Sequence, residues 1–529
     1  MPVTSVDLEY YQSHLKVDLL QFAPELVLVG TILGLLLARL IPRFAKVHLA
    51  SLALGGSSAA LFALLAPHFG LLIAPPKDTT AFTGLLALDP FAGFLRAILL
   101  GFAVLAVVFT RITGIPDADD SADFYTLLLG GTLGMMVMVS ANHLIMVFIG
   151  IEMASLPSYA LSGFMKGRRN GSEAALKYVV YGAAASGVML YGISLLAGAC
   201  GSGHFPTVAA NLSRAMASGE FPPILATGLF FLFVGFAFKL GAVPFHFWVP
   251  DVFEGAAAEV GAFLSVASKA AAVGLTARFL LTLQNASPDP TLFAGTIGLG
   301  LLGLAALTAT FGNLVALAQT NLKRMLAYST IAHAGYMLMA LAAMTREAAS
   351  ALLFYLVAYL MMNLGAFAVV AIVRNRTGGE TIDHVRGLLG RSPSTAICLT
   401  VFLLSLLGLP PLAGFAGKFQ VFAAVYEAGQ FYAQHGRPDL GLAFTILLGI
   451  GVLNTVISAG YYLRVLRAAA LDEPSEKDEK GAPLPLGETG EARGLLVFLA
   501  FGIVALGVWW GPLAAHAAKA VNVFPHAPG

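Results

Sequence analysis

Charged residues are scarce in this chain. Asp, Glu, Lys and Arg together make up 11% of its 529 residues, whereas a soluble protein carries about 25%. The formal net charge is +1, which gives no basis for nucleic-acid binding. Cysteine is rarer still: Cys200 and Cys398 are the two in the sequence. Two thiols cannot build an iron–sulfur cluster site, a zinc finger or a disulfide framework. These shortages exclude an ordinary soluble protein and several kinds of metal site.

Familiar nucleotide and hydrolase motifs are also missing. The sequence has no P-loop, no zinc-ligand spacing and no nucleophile elbow. Gly298, Gly300 and Gly303 match the G-x-G-x-x-G pattern, but they lie in an apolar stretch without a preceding strand or a later acidic partner. Small residues at this spacing favour close packing of helices instead. We therefore expect no redox or hydrolytic chemistry and no cofactor in this chain.

Long apolar runs dominate what is present. Hydrophobic residues make up 58% of the chain and the mean hydropathy is +0.82. About 14 segments reach the length of roughly 20 residues that spans a bilayer. The sequence therefore predicts an all-α polytopic membrane protein. The first run starts near Leu19, after a polar stretch with Asp7, Glu9 and Asp18, so we do not expect a cleavable signal.

Positive charge predicts the orientation. With both termini outside, eighteen of the 30 Lys and Arg fall in inner loops and six in outer loops, as the positive-inside rule requires. The pattern also predicts two five-helix repeats of opposite orientation, each with a broken fourth helix. The predicted domains are three N-terminal helices (1–123), the first repeat (124–282), the second, inverted repeat (291–467), and a polar inner loop with the last helix (468–529).

Four lysines lie inside predicted spans, and three of them lie well away from the span ends. Lys239 precedes Pro244 and Lys418 follows Pro410, so each sits beside a helix break. A lysine near the bilayer centre costs about 2.5–3.5 kcal/mol on insertion scales, and this cost favours a functional role. A structural lysine that donates to carbonyls at the break is the alternative. Lys269 lies about nine residues into the eighth span, where either a functional role or a side chain reaching the surface fits.

Other charged residues suggest pairs. Glu152 lies near the middle of the fifth span and Lys177 one turn into the sixth. The two could form an ion pair, although Glu152 could instead be capped locally and Lys177 could reach the inner surface. Arg96 could pair with Asp89, one to two turns earlier, in a structural contact.

The next candidates are aromatic and imidazole groups. His246 follows the first break and His333 lies in the tenth span. Each is either a neutral, hydrogen-bonded core histidine or a proton relay, since imidazole titrates near neutral pH. Tyr328 could hold a water beside His333, or it could simply pack.

Several acidic residues are expected to remain in water. Asp251, Glu254 and Glu259 fall where the seventh span returns to the inner surface. We expect all three to be mostly solvated, with at most a role in guiding protons inward. The polar insert 471–493 is expected to be a solvated, mobile inner loop without chemistry.

Buried lysines point to protons as the cargo. Burial lowers the pKa of a lysine ammonium, by up to about 3–5 units when complete. Such a group can give and take protons near pH 7, and a nearby carboxylate opposes the effect. Carboxylate, lysine and histidine on successive helices could therefore form a lateral chain at the bilayer midplane, with water in the gaps.

Four stretches carry a family resemblance. Residues 143–161, 172–178, 238–256 and 321–336 resemble the antiporter-like subunits of respiratory complex I (NADH:quinone oxidoreductase), and the similarity extends over about residues 120–470. The resemblance implies 14 helices with inverted repeats. It also implies proton translocation driven by quinone reduction elsewhere in a complex. The implied roles are a modulating pair (Glu152, Lys177), a pumping lysine (Lys239), connectors (Lys269, His333) and an exit residue (Lys418).

The same resemblance implies partners and location. NADH, FMN, iron–sulfur clusters and quinone are expected in other subunits. The neighbours are expected to be antiporter-like and small membrane subunits, together with lipids. The implied location is the bacterial inner membrane, with both termini on the periplasmic side. A multisubunit Na⁺/H⁺ antiporter, a membrane-bound hydrogenase and a non-conducting scaffold remain the alternatives.

Two details refine the resemblance. Lys418, within the stretch 405–419, fits one branch of the family, whereas another branch has glutamate at this place and a third has a long C-terminal lateral helix that this chain lacks. After Glu254 the family commonly continues Gly-Ala-Pro-Thr, but here the residues at 257–259 are Ala, Ala and Glu. The extra carboxylate leaves the local charge at this point open.

Overall fold

The computed structural model describes residues 15–41, 47–71, 80–165, 169–219, 221–474 and 485–524. The described chain is helical apart from loops and a two-stranded antiparallel hairpin, β1 (Thr80–Ala81) and β2 (Leu86–Ala87). The helices in chain order are α1 (Ala23–Leu40), α2 (Ala50–Leu65), α3 (Pro90–Thr113), α4 (Ser121–Ser140), α5 (Leu144–Ser162), α6 (Arg169–Cys200), α7 (Phe205–Ala217), α8 (Pro223–Leu240), α9 (Trp248–Gly255), α10 (Ala258–Asn285), α11 (Ala294–Ala316), α12 (Leu322–Ala343), α13 (Arg346–Thr377), α14 (Leu388–Arg391), α15 (Pro393–Leu407), α16 (Ala413–Gln434), α17 (Pro438–Ala470), α18 (Gly490–Val508) and α19 (Gly511–Ala520).

Among the described residues, twelve helices are long and apolar enough to cross a membrane. Two shorter apolar helices, α2 and α15, have 16 and 15 residues. The predicted all-α polytopic membrane protein is confirmed. The count of 14 spans and the inverted repeats remain predictions, as do the domain limits. The glycine motif at 298–303 runs from the π-helical turn Ala294–Gly298 into the α-helix that follows. The expected helix packing holds at Gly298, where an added Cβ would come within 3.1 Å of the Ala342 carbonyl oxygen, but it is wrong for Gly300 and Gly303, which are exposed and have no atom within 4 Å of an added Cβ.

Both expected helix breaks are present. α8 stops at Leu240, where Gly241 has a φ of +68°, and α15 stops at Leu407, where Gly408 has a φ of +92°. Glycine takes this left-handed conformation without a steric penalty. The chain resumes as a helix at Trp248 after the first break and at Ala413 after the second. A helix end leaves its last carbonyls without partners inside the helix, so both breaks place free acceptors within the membrane region.

The helices α10 and α12 form the centre of the bundle. The apolar windows of both are entirely buried, whereas only 28% of the windows of α1 and α17 is buried. Glycines allow close approach: a Cβ added at Gly312 would come within 2.6 Å of the Ala332 nitrogen, and one at Gly335 within 2.4 Å of the Ala309 nitrogen. Such contacts are typical of membrane helix pairs. The central position of α10 and α12 places Lys269 and His333 in the interior.

The ends of the polar insert are anchored to the bundle. Asp472 accepts a hydrogen bond of 3.4 Å from Arg386. Glu488 accepts hydrogen bonds from Ser392 at 2.7 Å, Ser394 at 3.0 Å and Arg493 at 3.1 Å. The expectation of a mobile loop also concerns residues 475–484, which lie outside the described residues.

Candidate functional site

Lys239 lies in the last turn of α8 and its residue is 2% exposed. Its Nζ donates a 3.0 Å hydrogen bond to the Ser155 hydroxyl on α5. Glu152 lies one turn before Ser155 and interacts electrostatically with Lys239. The carboxylate of Glu152 accepts a hydrogen bond from Ser186 on α6. The first deep lysine and the predicted carboxylate are therefore neighbours across the α5–α8 contact.

The predicted Glu152–Lys177 ion pair is wrong. The Lys177 ammonium contacts carboxylate oxygens of Asp251 at 2.7 Å and Glu173 at 2.9 Å. Depth explains the difference, because Ser186, the α6 residue that meets Glu152, lies nine positions beyond Lys177. At 1.5 Å per residue this is about 13 Å along the helix. Two residues on neighbouring helices do not meet when they lie at different depths along the helix axes.

The acidic residues after the first break are less solvated than predicted. Arg324 bridges Asp251 and Glu254 at 2.7 and 2.8 Å, and both carboxylates are only partly exposed. For Glu259 the prediction is wrong: its side chain is 0% exposed and lies 3.1 Å from Arg374. An unpaired buried carboxylate is strongly unfavourable. The extra acidic residue of this chain is therefore neutralised by an arginine from α13.

Further buried ion pairs were missed from the sequence. Lys323, counted as an inner-loop residue, is buried and donates to Glu380 at 2.8 Å. The predicted Arg96–Asp89 pair is wrong, because Arg96 pairs with Glu25 at 2.5 Å, while Asp89 accepts two 2.7 Å hydrogen bonds from Arg278. The partners are 71 and 189 residues apart along the chain. No local spacing could indicate them.

Lys269 and Lys418 bind the carbonyls that the helix breaks set free. Lys269 Nζ donates to the carbonyl oxygen of Leu240 at 2.7 Å. Lys418 Nζ donates to those of Leu406 and Leu407, each at 3.0 Å. Both lysine residues are 4% exposed. A cation at a helix C-terminus is favoured by the helix dipole as well as by the free carbonyls. Each broken helix therefore ends on the ammonium group of a buried lysine.

His333 is surrounded by tyrosines from other helices. Its Nδ1 lies 2.5 Å from the Tyr355 hydroxyl on α13 and its Nε2 lies 3.3 Å from the Tyr462 hydroxyl on α17. The tyrosine proposed from sequence, Tyr328, instead packs its ring beside Arg324, 5.9 Å from ring centroid to Cζ. The sequence signal for Tyr355 and Tyr462 was a polar hydroxyl inside an apolar span. It did not indicate which group the hydroxyl contacts.

Lys418 is joined to the same region. Its Nζ lies 4.6 Å above the ring centroid of Tyr336, a residue whose ring packs against His333 at 5.8 Å. His333 interacts electrostatically with both Lys269 and Lys418. Charge interactions therefore link Glu152 with Lys239, and His333 with both Lys269 and Lys418.

His246 stands apart from these groups. It lies in the first break, is 3% exposed and packs against Phe247 and Phe311, each 4.5 Å away between ring centroids. Within the described part of the chain, no side-chain hydrogen bond joins it to the lysines. The same residues contain no group of three or more His, Cys, Asp or Glu side chains placed to hold a metal ion.

Comparison with known proteins identifies the family of this chain. A family model described as NADH:quinone oxidoreductase/Mrp antiporter, TM, matches residues 141–434. NADH-quinone oxidoreductase subunit N from Anaeromyxobacter sp. (strain Fw109-5) is 39% identical over 522 residues, which cover 96% of this chain and 97% of that relative. F(420)H(2) dehydrogenase subunit N from Methanosarcina mazei is 37% identical, with 96% of this chain and 99% of that relative covered.

A solved structure extends the match to three dimensions. A chain of respiratory complex I from Thermus thermophilus, determined with bound aureothin, is 32% identical to this one. The superposition covers 94% of this chain and 99% of that chain, with a TM-score of 0.73. The predicted resemblance, including the lysine branch indicated by Lys418, is thereby confirmed. The chain belongs to the NADH:quinone oxidoreductase/Mrp antiporter family of membrane subunits, in its subunit N branch.

Proposed function

We propose that this chain is a proton-translocating membrane-arm subunit of an NADH:quinone oxidoreductase. Protons move along a midplane chain of buried side chains and water, while NADH oxidation and quinone reduction take place in other subunits. Glu152 modulates Lys239, which loads protons, Lys269 and His333 connect the two halves, and Lys418 serves the exit side. Lys177 acts through Asp251 rather than through Glu152.

One observation carries this proposal. Within the described residues, the hydrogen-bond acceptors of the three deep lysines are neutral: a hydroxyl for Lys239 and backbone carbonyls for Lys269 and Lys418. A carboxylate in contact with an ammonium group stabilises its charged form, whereas a neutral acceptor does so far less. Lysines held in this way can change protonation state during turnover. The alternative of a passive scaffold does not account for three such lysines at a cost of several kcal/mol.

The identity of the electron donor lies outside this chain. The subunit N relative from Methanosarcina mazei belongs by name to an F(420)H(2) dehydrogenase, so the same kind of membrane subunit occurs with a different donor. The similarity to subunit N favours a quinone-linked complex over a free-standing Na⁺/H⁺ antiporter. We place the chain in the bacterial inner membrane with both termini on the periplasmic side.

Replacement of Lys239 tests the proposal. In the purified complex reconstituted in vesicles, Lys239→Ala should lower the number of protons pumped per electron transferred while the complex still assembles. Lys519→Ala is the matched control, because Lys519 is exposed near the C-terminus of α19 and should leave the ratio unchanged. A parental ratio in the Lys239 variant would make that lysine structural.

A further inference from the structure

His333 is held at both ring nitrogens by a tyrosine hydroxyl. The Tyr355 oxygen lies 2.5 Å from Nδ1 and the Tyr462 oxygen lies 3.3 Å from Nε2. A neutral imidazole has one donor and one acceptor nitrogen, while a tyrosine hydroxyl can both donate and accept. Either tautomer of His333 can therefore keep both hydrogen bonds if the hydroxyl protons rotate. A buried imidazole needs a partner at each nitrogen in any role, and here both partners are hydroxyls that can also pass a proton.

The two tyrosines lead to different parts of the bundle. The Tyr462 hydroxyl also lies 2.5 Å from Ser329 Oγ, and the ring of Tyr462 packs on that of Tyr461 at 4.3 Å. The Tyr355 ring packs against α16 at Gly417, where an added Cβ would come within 2.5 Å of Tyr355 Cδ2. Gly417 directly precedes Lys418. The Nε2 side of His333 therefore faces a hydroxyl network, and the Nδ1 side faces the helix that carries Lys418.

We propose that His333 passes protons between Tyr462 and Tyr355 by exchanging tautomers. This inference rests on the proposed function and names two residues for it. In one direction, Tyr462 gives its hydroxyl proton to Nε2 and takes a proton from the Ser329 side. The imidazolium then gives its Nδ1 proton to Tyr355, whose own hydroxyl proton moves on toward Lys418. One proton enters and one leaves, and no electron moves. The passage leaves the imidazole proton on Nε2, so a half-turn of the ring together with rotation of the hydroxyls resets the path.

A third tyrosine offers a control for ring packing. Tyr359 lies closer to the imidazole than Tyr355 by ring centroid, 5.2 Å against 6.0 Å. Its hydroxyl, however, donates to Thr330 Oγ1 at 3.1 Å instead of contacting His333. Tyr359→Phe therefore removes a buried hydroxyl beside the same imidazole without touching either ring nitrogen. If only packing matters, it should resemble Tyr355→Phe.

The test compares these variants in the reconstituted complex. Tyr355→Phe and Tyr462→Phe should each lower the protons pumped per electron, and Tyr359→Phe should not. Because the two tyrosines act in series, the double variant should pump as many protons per electron as the more impaired of the two single variants. Independent structural defects on α13 and α17 would instead add. If Tyr355→Phe fails to assemble, Tyr462→Phe alone decides.

The outcomes separate this inference from the proposed function. Parental pumping in both tyrosine variants, with reduced pumping in Lys239→Ala, would overturn the relay and leave the proposed function standing. Additive losses, or an equal loss in Tyr359→Phe, would also overturn the relay. Parental pumping in the lysine and tyrosine variants alike would overturn both.

Discussion

The ammonium group of Lys177 lies 2.7 Å from a carboxylate oxygen of Asp251, on the short helix that follows the first break. This contact ties α6 to α9 and joins Lys177 to Arg324, which binds the other oxygen of the same carboxylate at 2.7 Å. The charge of Lys177 is therefore paired with the segment after the break and not with Glu152.

A double-mutant cycle measures this relationship. The Lys177 and Asp251 side chains are 39% and 30% exposed, so their coupling should be that of a solvated ion pair, about 0.2–1 kcal/mol. Lys177→Met combined with Asp251→Asn should show this coupling in quinone-coupled turnover. Lys177→Met combined with Glu152→Gln should give additive losses. A larger coupling in the second cycle would restore the Glu152–Lys177 pair to the mechanism.

The contribution of Lys269 to proton pumping should depend on its ammonium group more than on the volume of its side chain. Lys269→Met keeps the length of the side chain but leaves the Leu240 carbonyl without its donor. An unsatisfied buried acceptor costs about 1–3 kcal/mol, so modest destabilisation should accompany a loss of pumping. Assembly and protons pumped per electron measure the two effects. Thr276→Val, also on α10 and also buried, removes a hydrogen bond away from the lysines and should preserve the pumping ratio.

The large-scale order of this protein could be predicted from the sequence. The apolar runs and the prolines at 244 and 410 indicated both helix breaks, because proline cannot continue a helix and lysine rarely enters a bilayer without a role. The family resemblance then added the functional roles that stay predictions. Each of these signals describes a single helix and not its contacts with other helices.

The contacts between helices could not be predicted in the same way. Lys177 and Glu152 were matched by sign, yet the rotation and depth of α5 and α6 place Ser186 at Glu152. Tyr355 and Tyr462 contact His333 from other helices and lie 22 and 129 residues from it along the chain. Such pairings depend on how the helices pack, as where Gly417 of α16 lies against Tyr355, and a single sequence carries no measure of that geometry.

Glu488 should give the anchor of the polar insert a pH dependence. Its burial acts to raise its pKa, but hydrogen bonds from Ser392, Ser394 and Arg493 outweigh this and hold the pKa below its usual value. A depressed pKa in the folded state stabilises above the unfolded pKa of about 4.3. This contribution is lost as pH falls through the lower, folded value.

The melting temperature of the complex tests this anchor. Glu488→Gln should melt below the parent at pH 7, and the gap should close as pH falls below about 4. Glu491→Gln is the matched control, since Glu491 is exposed at the start of α18, and it should melt like the parent throughout. A gap that persists unchanged at low pH would mean that the Glu488 charge contributes nothing.

Lys418 should be needed for proton release on the outer side. It belongs to the second predicted repeat, so its access should be the reverse of that of Lys239, which we propose loads from the inner side. Lys418→Met keeps the length of the side chain, removes the charge over the Tyr336 ring and leaves two carbonyls of α15 without their donor. The expected variant assembles, releases fewer protons outward and transfers electrons more slowly when coupled, whereas Lys519→Met behaves like the parent. Ordered waters in a structure of the whole complex give a separate view. A hydrated path from Lys418 to the inner surface, with none toward the outside, would rule out its role at the exit.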